Sequence, residues 1–126
     1  MISKINPALQ VSVLVVEDEP FSRIHAVDLV EAAGFGAIEA SNADEAIAIL
    51  EARKDIRIVF TDIEMPGSMD GLKLARAIRD RWPPIELIIT SGQFDVPESA
   101  MPERGLFFPK PYRDDEIMTA LRRLAS

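Results

Sequence analysis

Short apolar runs alternate with helix-period segments along nearly the whole chain. Residues 11–16 form a largely β-branched run, broken at Glu17-Asp18-Glu19-Pro20, and read as a buried strand. Pro20 suits the first turn of a helix, where its missing N–H costs nothing. That helix places Ala26, Leu29, Val30 and Ala33 on one stripe and ends at Gly34 and Gly36. Residues 36–40 read as a weaker strand at a sheet edge. Ser41 or Asn42 caps a second helix, with Glu45 completing a capping box and Ala43, Ala46, Ile47 and Leu50 facing inward. Residues 57–61 predict a third strand that stops at Asp62, and residues 62–71 a loop rich in breakers. A third helix carries Leu74, Ala75, Ile78 and Trp82 inward until Pro83 and Pro84 end it. Residues 85–90 form a fourth strand. Pro97 and Pro102 make any helix between Gly92 and Arg104 short or distorted. Residues 106–108 are a fifth strand, and Lys110-Pro111-Tyr112 turns into a last helix. Asp114, Asp115 and Glu116 sit in its first turn, where they complement the dipole, and Ile117, Ala120, Leu121 and Leu124 line its apolar face.

This alternation predicts an α/β fold, a (βα)5 doubly wound parallel sheet over residues 11–125 behind a short lead-in at residues 1–10. Composition narrows the function. The chain has 126 residues, 14 Lys+Arg against 21 Asp+Glu, a formal net charge of −7 and no cysteine. One domain of this size buries a core without disulfides. The acidity argues against nucleic acid as a partner, because phosphate contacts need clustered cations. No apolar run is long enough to span a bilayer, and the first residues lack a signal peptide's apolar region, so no membrane partner is expected and the expected location is cytoplasmic. If these residues are the whole protein, no output domain is expected in this chain.

Open α/β sheets bind ligands beyond the carboxyl ends of their strands. Glu17 and Asp18 follow the first strand, Asp62 the third, Thr90 closes the fourth and Lys110 follows the fifth. Taken singly, each has an ordinary reading as a helix cap, loop acid, strand threonine or solvated lysine. Together they bring three carboxylates, a hydroxyl and an ammonium to one rim. Crowded carboxylates repel, and a hard divalent cation of the Mg²⁺ type resolves the repulsion. A carboxylate beside such a cation is also a nucleophile toward phosphorus, and phosphoryl transfer needs mainly positioning and charge neutralisation.

The segments Val13-Leu14-Val15-Val16-Glu17-Asp18-Glu19-Pro20, Thr61-Asp62-Ile63-Glu64-Met65-Pro66-Gly67, Thr90-Ser91-Gly92 and Lys110-Pro111-Tyr112 resemble the receiver domain of two-component response regulators. The resemblance implies a flavodoxin-like sheet of strand order 2-1-3-4-5. It implies phosphorylation of Asp62 by the phosphohistidine of a sensor histidine kinase or histidine phosphotransfer protein. It also implies Mg²⁺ held by Asp18, Asp62 and the Glu64 backbone carbonyl, with Glu17 acting through water. Lys110 then pairs with the phosphoryl group, Thr90 moves to hydrogen-bond it, Phe107 is the aromatic switch position, and the Lys110–Pro111 bond is cis. Such a domain catalyses only its own phosphorylation and dephosphorylation and signals by contact with a downstream protein; a homodimer is left open.

Three features depart from the common pattern. Ser68 lengthens the loop after Asp62, Glu64 adds an acid beside the site, and the prolines of the Gly92–Arg104 stretch put a helix there in doubt. Glu64 is expected to alter the lifetime of the acyl phosphate. His25 reads as a plain surface or boundary histidine, and Arg23, Ile24 and Pro111 as candidate contacts for the phosphodonor. Two other functions compete. One is a phosphorylation-independent pseudo-receiver interaction module. The other is a Mg²⁺-dependent phosphatase with an aspartyl nucleophile, disfavoured because Glu64 stands where a second aspartate is usual and no cap domain is present.

Overall fold

The computed structural model describes residues 11–67, 69–92 and 96–126. The elements run β1 (Ser12–Val16), α1 (Pro20–Ala32), β2 (Gly36–Ala40), α2 (Ala43–Ala52), β3 (Ile56–Asp62), α3 (Gly71–Arg81), β4 (Glu86–Ser91), β5 (Gly105–Pro109) and α4 (Asp114–Ala125). All strand pairs are parallel, in the order β2-β1-β3-β4-β5. The predicted fold, order and edge position of β2 are those observed. The lead-in at residues 1–10 and the added Ser68 lie outside the described residues.

Two apolar clusters explain why the sheet is wound on both faces. Successive side chains of a strand point to opposite faces. Leu14, Val16, Val59, Leu87 and Ile89 therefore meet Ala46 and Leu50 of α2 and Leu74, Ala75 and Ile78 of α3 on one side. Val13, Val15, Ile58, Phe60 and Ile88 meet Leu29 and Val30 of α1 and Ile117 and Leu121 of α4 on the other. Truncating a fully buried member such as Leu74 to alanine costs about 2–5 kcal/mol. Glu19 caps α1, accepting from the Ser22 N–H, and Asn42 caps α2, accepting from the Glu45 N–H. The capping box is displaced by one residue, because Glu45 reaches back to the N–H and hydroxyl of Ser41 rather than to Asn42. Gly34, with φ 103°, ends α1 in the left-handed conformation that glycine adopts without strain.

The connection from β4 to β5 departs from the regular alternation. Its only described helical piece is the 3-10 turn Glu98–Ala100, so (βα)5 is here four α-helices and one turn among the described residues. Arginines do the work of a helix ladder. Within this connection Arg76 donates to the Ala100 carbonyl and Arg79 to that of Glu103, while Arg79 also donates to Pro83 and Ile85, and Arg104 to Pro83, in the turn between α3 and β4. Backbone carbonyls need partners, and side chains from α3 supply them where proline prevents a helix.

Candidate functional site

Each acidic group at the carboxyl rim is placed by the backbone rather than by its own contacts. Glu17 follows β1, and its N–H donates to the Ala40 carbonyl at 3.0 Å, locking it to the end of β2. Arg23, one turn into α1, donates to the Glu17 carbonyl at 2.9 Å and pairs with Glu39 at 3.1 Å. Asp62 ends β3 opposite Thr90 of β4, and the Ile63 N–H donates to the Thr90 carbonyl at 2.8 Å. Lys110 is anchored by its N–H to the Ser91 carbonyl at 2.8 Å, and the bond to Pro111 is cis, as the resemblance implies. Asp70 caps α3 by accepting from the Lys73 N–H, and Gly71 begins the helix hard against the end of β3. A Cβ at Gly71 would lie 1.8 Å from the Asp62 carbonyl oxygen, so only glycine lets α3 start there.

Three acidic side chains and the lysine converge. Glu17, Asp18 and Asp62 each bring a carboxylate oxygen to within 4.8 Å of the others. Lys110 Nζ stands 3.1 Å from Glu17 Oε1 and 3.2 Å from Asp62 Oδ2. One ammonium thus serves two buried carboxylates. Asp62 Oδ1 is buried and lacks a hydrogen-bond partner of normal geometry. A buried, unpaired acceptor is costly unless something cationic or hydrogen-bonding completes it. Burial pushes the Asp62 carboxyl above its ordinary range; Lys110 opposes this and the Glu64 charge adds to it. Burial likewise raises Glu17, against its hydrogen bonds from Glu19 and Lys110. For Lys110, burial works downward, but the hydrogen bond to Glu17 and the two carboxylate charges outweigh it and hold the ammonium protonated. The three acids and the orphaned oxygen form a cluster that fits a hard cation.

Thr90 is buried beside Asp62, but its hydroxyl is turned to the Thr61 carbonyl, at a long 3.5 Å. Phe107 lies in β5 opposite Ile89, half-buried against the cluster under α2 and α3. The Glu64 side chain is committed elsewhere: it accepts from the Ser91 hydroxyl at 2.5 Å and the Gly92 N–H at 2.9 Å. A family model described as the response regulator receiver domain matches residues 13–122.

The chain belongs to the response regulator receiver family.

This receiver is 35% identical over 115 residues to the C4-dicarboxylate transport transcriptional regulatory protein DctD of Rhizobium meliloti, covering 89% of the chain and 25% of the relative. The chain spans about a quarter of the length of most of the first curated relatives it matches. Among solved structures, the receiver domain of NtrX from Brucella abortus superposes with TM-score 0.79 at 31% identity, covering 90% of this chain and 97% of that one. The response regulator TrrA from Thermotoga maritima, solved in complex with Mg²⁺-BeF, gives TM-score 0.77 at 26% identity, covering 90% and 98%.

Sequence reasoning missed four features of the receiver's rim. Gly71 is a steric requirement, signalled only by a glycine directly after an aspartate cap. Arg23, read as a docking contact, is turned inward onto Glu17 and Glu39. His25 is exposed, but it contacts Asp114 at 2.9 Å and stacks on Tyr112. Phe21 is 80% exposed beside Ile24, and lines an open cleft of about 520 Å³ with Lys110, Pro111 and Tyr112. An apolar residue in the first turn of α1, off the inward stripe, was the available signal for Phe21.

Proposed function

We propose that this receiver accepts a phosphoryl group on Asp62 from a phosphohistidine donor, and that it signals through protein contact. The observation that carries this reading is the buried Asp62 carboxylate, with one oxygen near Lys110 and the other unpaired, set among Glu17 and Asp18. An Asp62 oxygen attacks phosphorus, the P–N bond to the donor imidazole breaks as the P–O bond forms, and the imidazole leaves as the neutral base once protonated. Asp18, Asp62 and the Glu64 backbone carbonyl would hold Mg²⁺, with Glu17 acting through water. When bound, the cation neutralises charge on the transferring oxygens. Lys110 pairs with the phosphoryl oxygens, as an ammonium already shared between two carboxylates is free to do once one of them becomes the mixed anhydride of an acyl phosphate. Thr90 has only a long hydrogen bond to give up, and its hydroxyl turns to the phosphoryl group. Phe107 has no hydroxyl, so its movement with Thr90 leaves no buried polar group unsatisfied.

The donor approaches over the exposed Phe21 and Ile24 and beside Pro111, an apolar dock adjoining the acceptor. Catalysis is confined to the domain's own phosphorylation and dephosphorylation. The setting is cytoplasmic; no described helix is long and apolar enough to cross a membrane. Glu64, tied to Ser91 and Gly92, alters the lifetime of the acyl phosphate, and equal rates of phosphate loss from the parent and Glu64→Ala would overturn that role.

Incubation with acetyl phosphate and Mg²⁺ followed by intact-mass measurement tests the main reading. One phosphoryl group is expected on the parent and none on Asp62→Asn. No mass gain in the parent would make the chain a pseudo-receiver that signals by contact alone.

A further inference from the structure

The end of the sheet opposite Asp62 carries a second concavity, of about 320 Å³, that the phosphoryl reading does not use. It lies where α2 and α3 finish and β3 and β4 begin. Ile56, Trp82, Pro84 and Ile85 give it an apolar lining, and Arg53, Lys54, Arg57 and Arg81 surround it with four cations against one acid, Glu51, in a chain of net charge −7. Two of these cations are already engaged. Arg53 pairs with Asp55 at 2.6 Å, and Arg81 pairs with Glu51 at 2.7 Å and covers the Trp82 ring at 4.3 Å. Lys54 and Arg57 make no ion pair among the described residues.

Helix dipoles account for cations near the last turns of α2 and α3. They do not account for Arg57, which lies on β3 and is that strand's one exposed residue. Nor do they account for an apolar floor beneath the cations. Small-molecule sites combine such a floor with a few convergent polar groups, at about 300 Å³ and upward.

We propose that this cavity binds a small aromatic carboxylate, with its ring against Trp82 and Ile85 and its carboxylate between Lys54 and Arg57. The flat apolar floor at Trp82 and Ile85 suits a ring, and the two unpaired cations set the ligand's charge. The site is independent of phosphorylation at Asp62.

Trp82 is the only tryptophan, so its indole N–H gives a single resonance that reports the cavity. The whole chain is titrated with 2-naphthoate and, separately, with its neutral amide, 2-naphthamide, and ¹H–¹⁵N spectra are followed. Naphthoate is expected to move the Trp82 indole signal saturably and to bind about fivefold more tightly than the amide, the scale of one solvent-exposed ion pair. The double variant Lys54→Glu/Arg57→Glu, two exposed positions, should lose this preference while keeping its melting temperature and its mass gain from acetyl phosphate. Asp62→Asn should bind naphthoate as the parent does. Equal affinity for the two probes, equal naphthoate affinity in the double variant, or no saturable shift of Trp82 would each overturn the proposal.

Discussion

Two aspartates at opposite ends of β3 show how differently one fold treats the same side chain. Asp55, just before the strand, accepts from Arg53 Nε at 2.9 Å, Arg53 Nη2 at 2.6 Å and Ser12 Oγ at 2.8 Å. Those hydrogen bonds hold its carboxyl well below the usual carboxylate range. Asp62, at the strand's other end, is buried, shares one lysine with Glu17 and leaves an oxygen unpaired, and its carboxyl is pushed up. The amino end of the strand therefore uses charge to hold the fold together. The carboxyl end confines charge at the expense of the fold, which is the usual condition of a reactive site.

The largest expected effect comes from breaking the carboxyl end sterically. Gly71→Ala drives a methyl group into the Asp62 carbonyl, and the obstructing atoms are the Asp62 and Ile63 backbone, which has little room to yield. A loss of about 3 kcal/mol is expected, read as a fall in the denaturation midpoint. The same alanine at Gly36, whose methyl would lie 3.6 Å from the Ser12 hydroxyl, serves as the mild control. If the two variants melt alike, the close approach of α3 to β3 is not what positions Asp62.

Asp62→Asn relieves the buried charge and keeps the shape. It should stabilise the metal-free chain by about 1 kcal/mol, or a rise in melting temperature of about 3–6 °C, while abolishing the mass gain. The sign follows from linkage. A carboxyl whose folded pKa is raised contributes its stability fully below the unfolded value, near pH 4, and loses it as pH rises through the folded value. The advantage of Asp62→Asn is thus greatest at neutral pH and closes on acidification toward pH 4. Mg²⁺ should reverse the order of the two melting temperatures, because a cation bound only by the folded parent stabilises it. A parent that stays the less stable protein at saturating Mg²⁺ argues against Asp62 as a ligand.

The sheet and its windings were legible because apolar runs and stripes report burial directly. Residues 11–16 and 85–90 are apolar on both faces, as only central parallel strands are. The acidic cluster was legible for a related reason: its members stand at strand ends, and strand order brings strand ends together. What was hidden depends on pairings between distant residues or on space. Nothing in Glu64 alone announces that its carboxylate will hold Ser91 and Gly92. Pro97 and Pro102 announced the loss of a helix, but not that Arg76 and Arg79 would satisfy carbonyls left behind at Ala100 and Glu103. Phe21 was hidden differently, since periodicity shows which residues point inward and leaves an outward phenylalanine unexplained.

The smallest expected effect sharpens the comparison from the amino end. Asp55→Asn removes a charge that the fold favours, so the variant should be less stable than the parent at neutral pH. The side chain is 42% exposed, and solvent screening limits the loss to about 1 kcal/mol or less. Here linkage runs the other way. A carboxyl whose folded pKa is depressed contributes stability that is present above the unfolded value and disappears as pH falls through the folded one. The cost of Asp55→Asn should therefore persist from pH 7 down to about pH 4 and shrink only below it. Melting curves of the parent, Asp55→Asn and Asp62→Asn across pH 3–7 place both aspartates on one axis. The two variants should lie on opposite sides of the parent at pH 7, and both should approach it in acid, Asp62→Asn at the higher pH. Curves displaced in the same direction would show that the two ends of β3 do not treat their carboxylates in opposite ways.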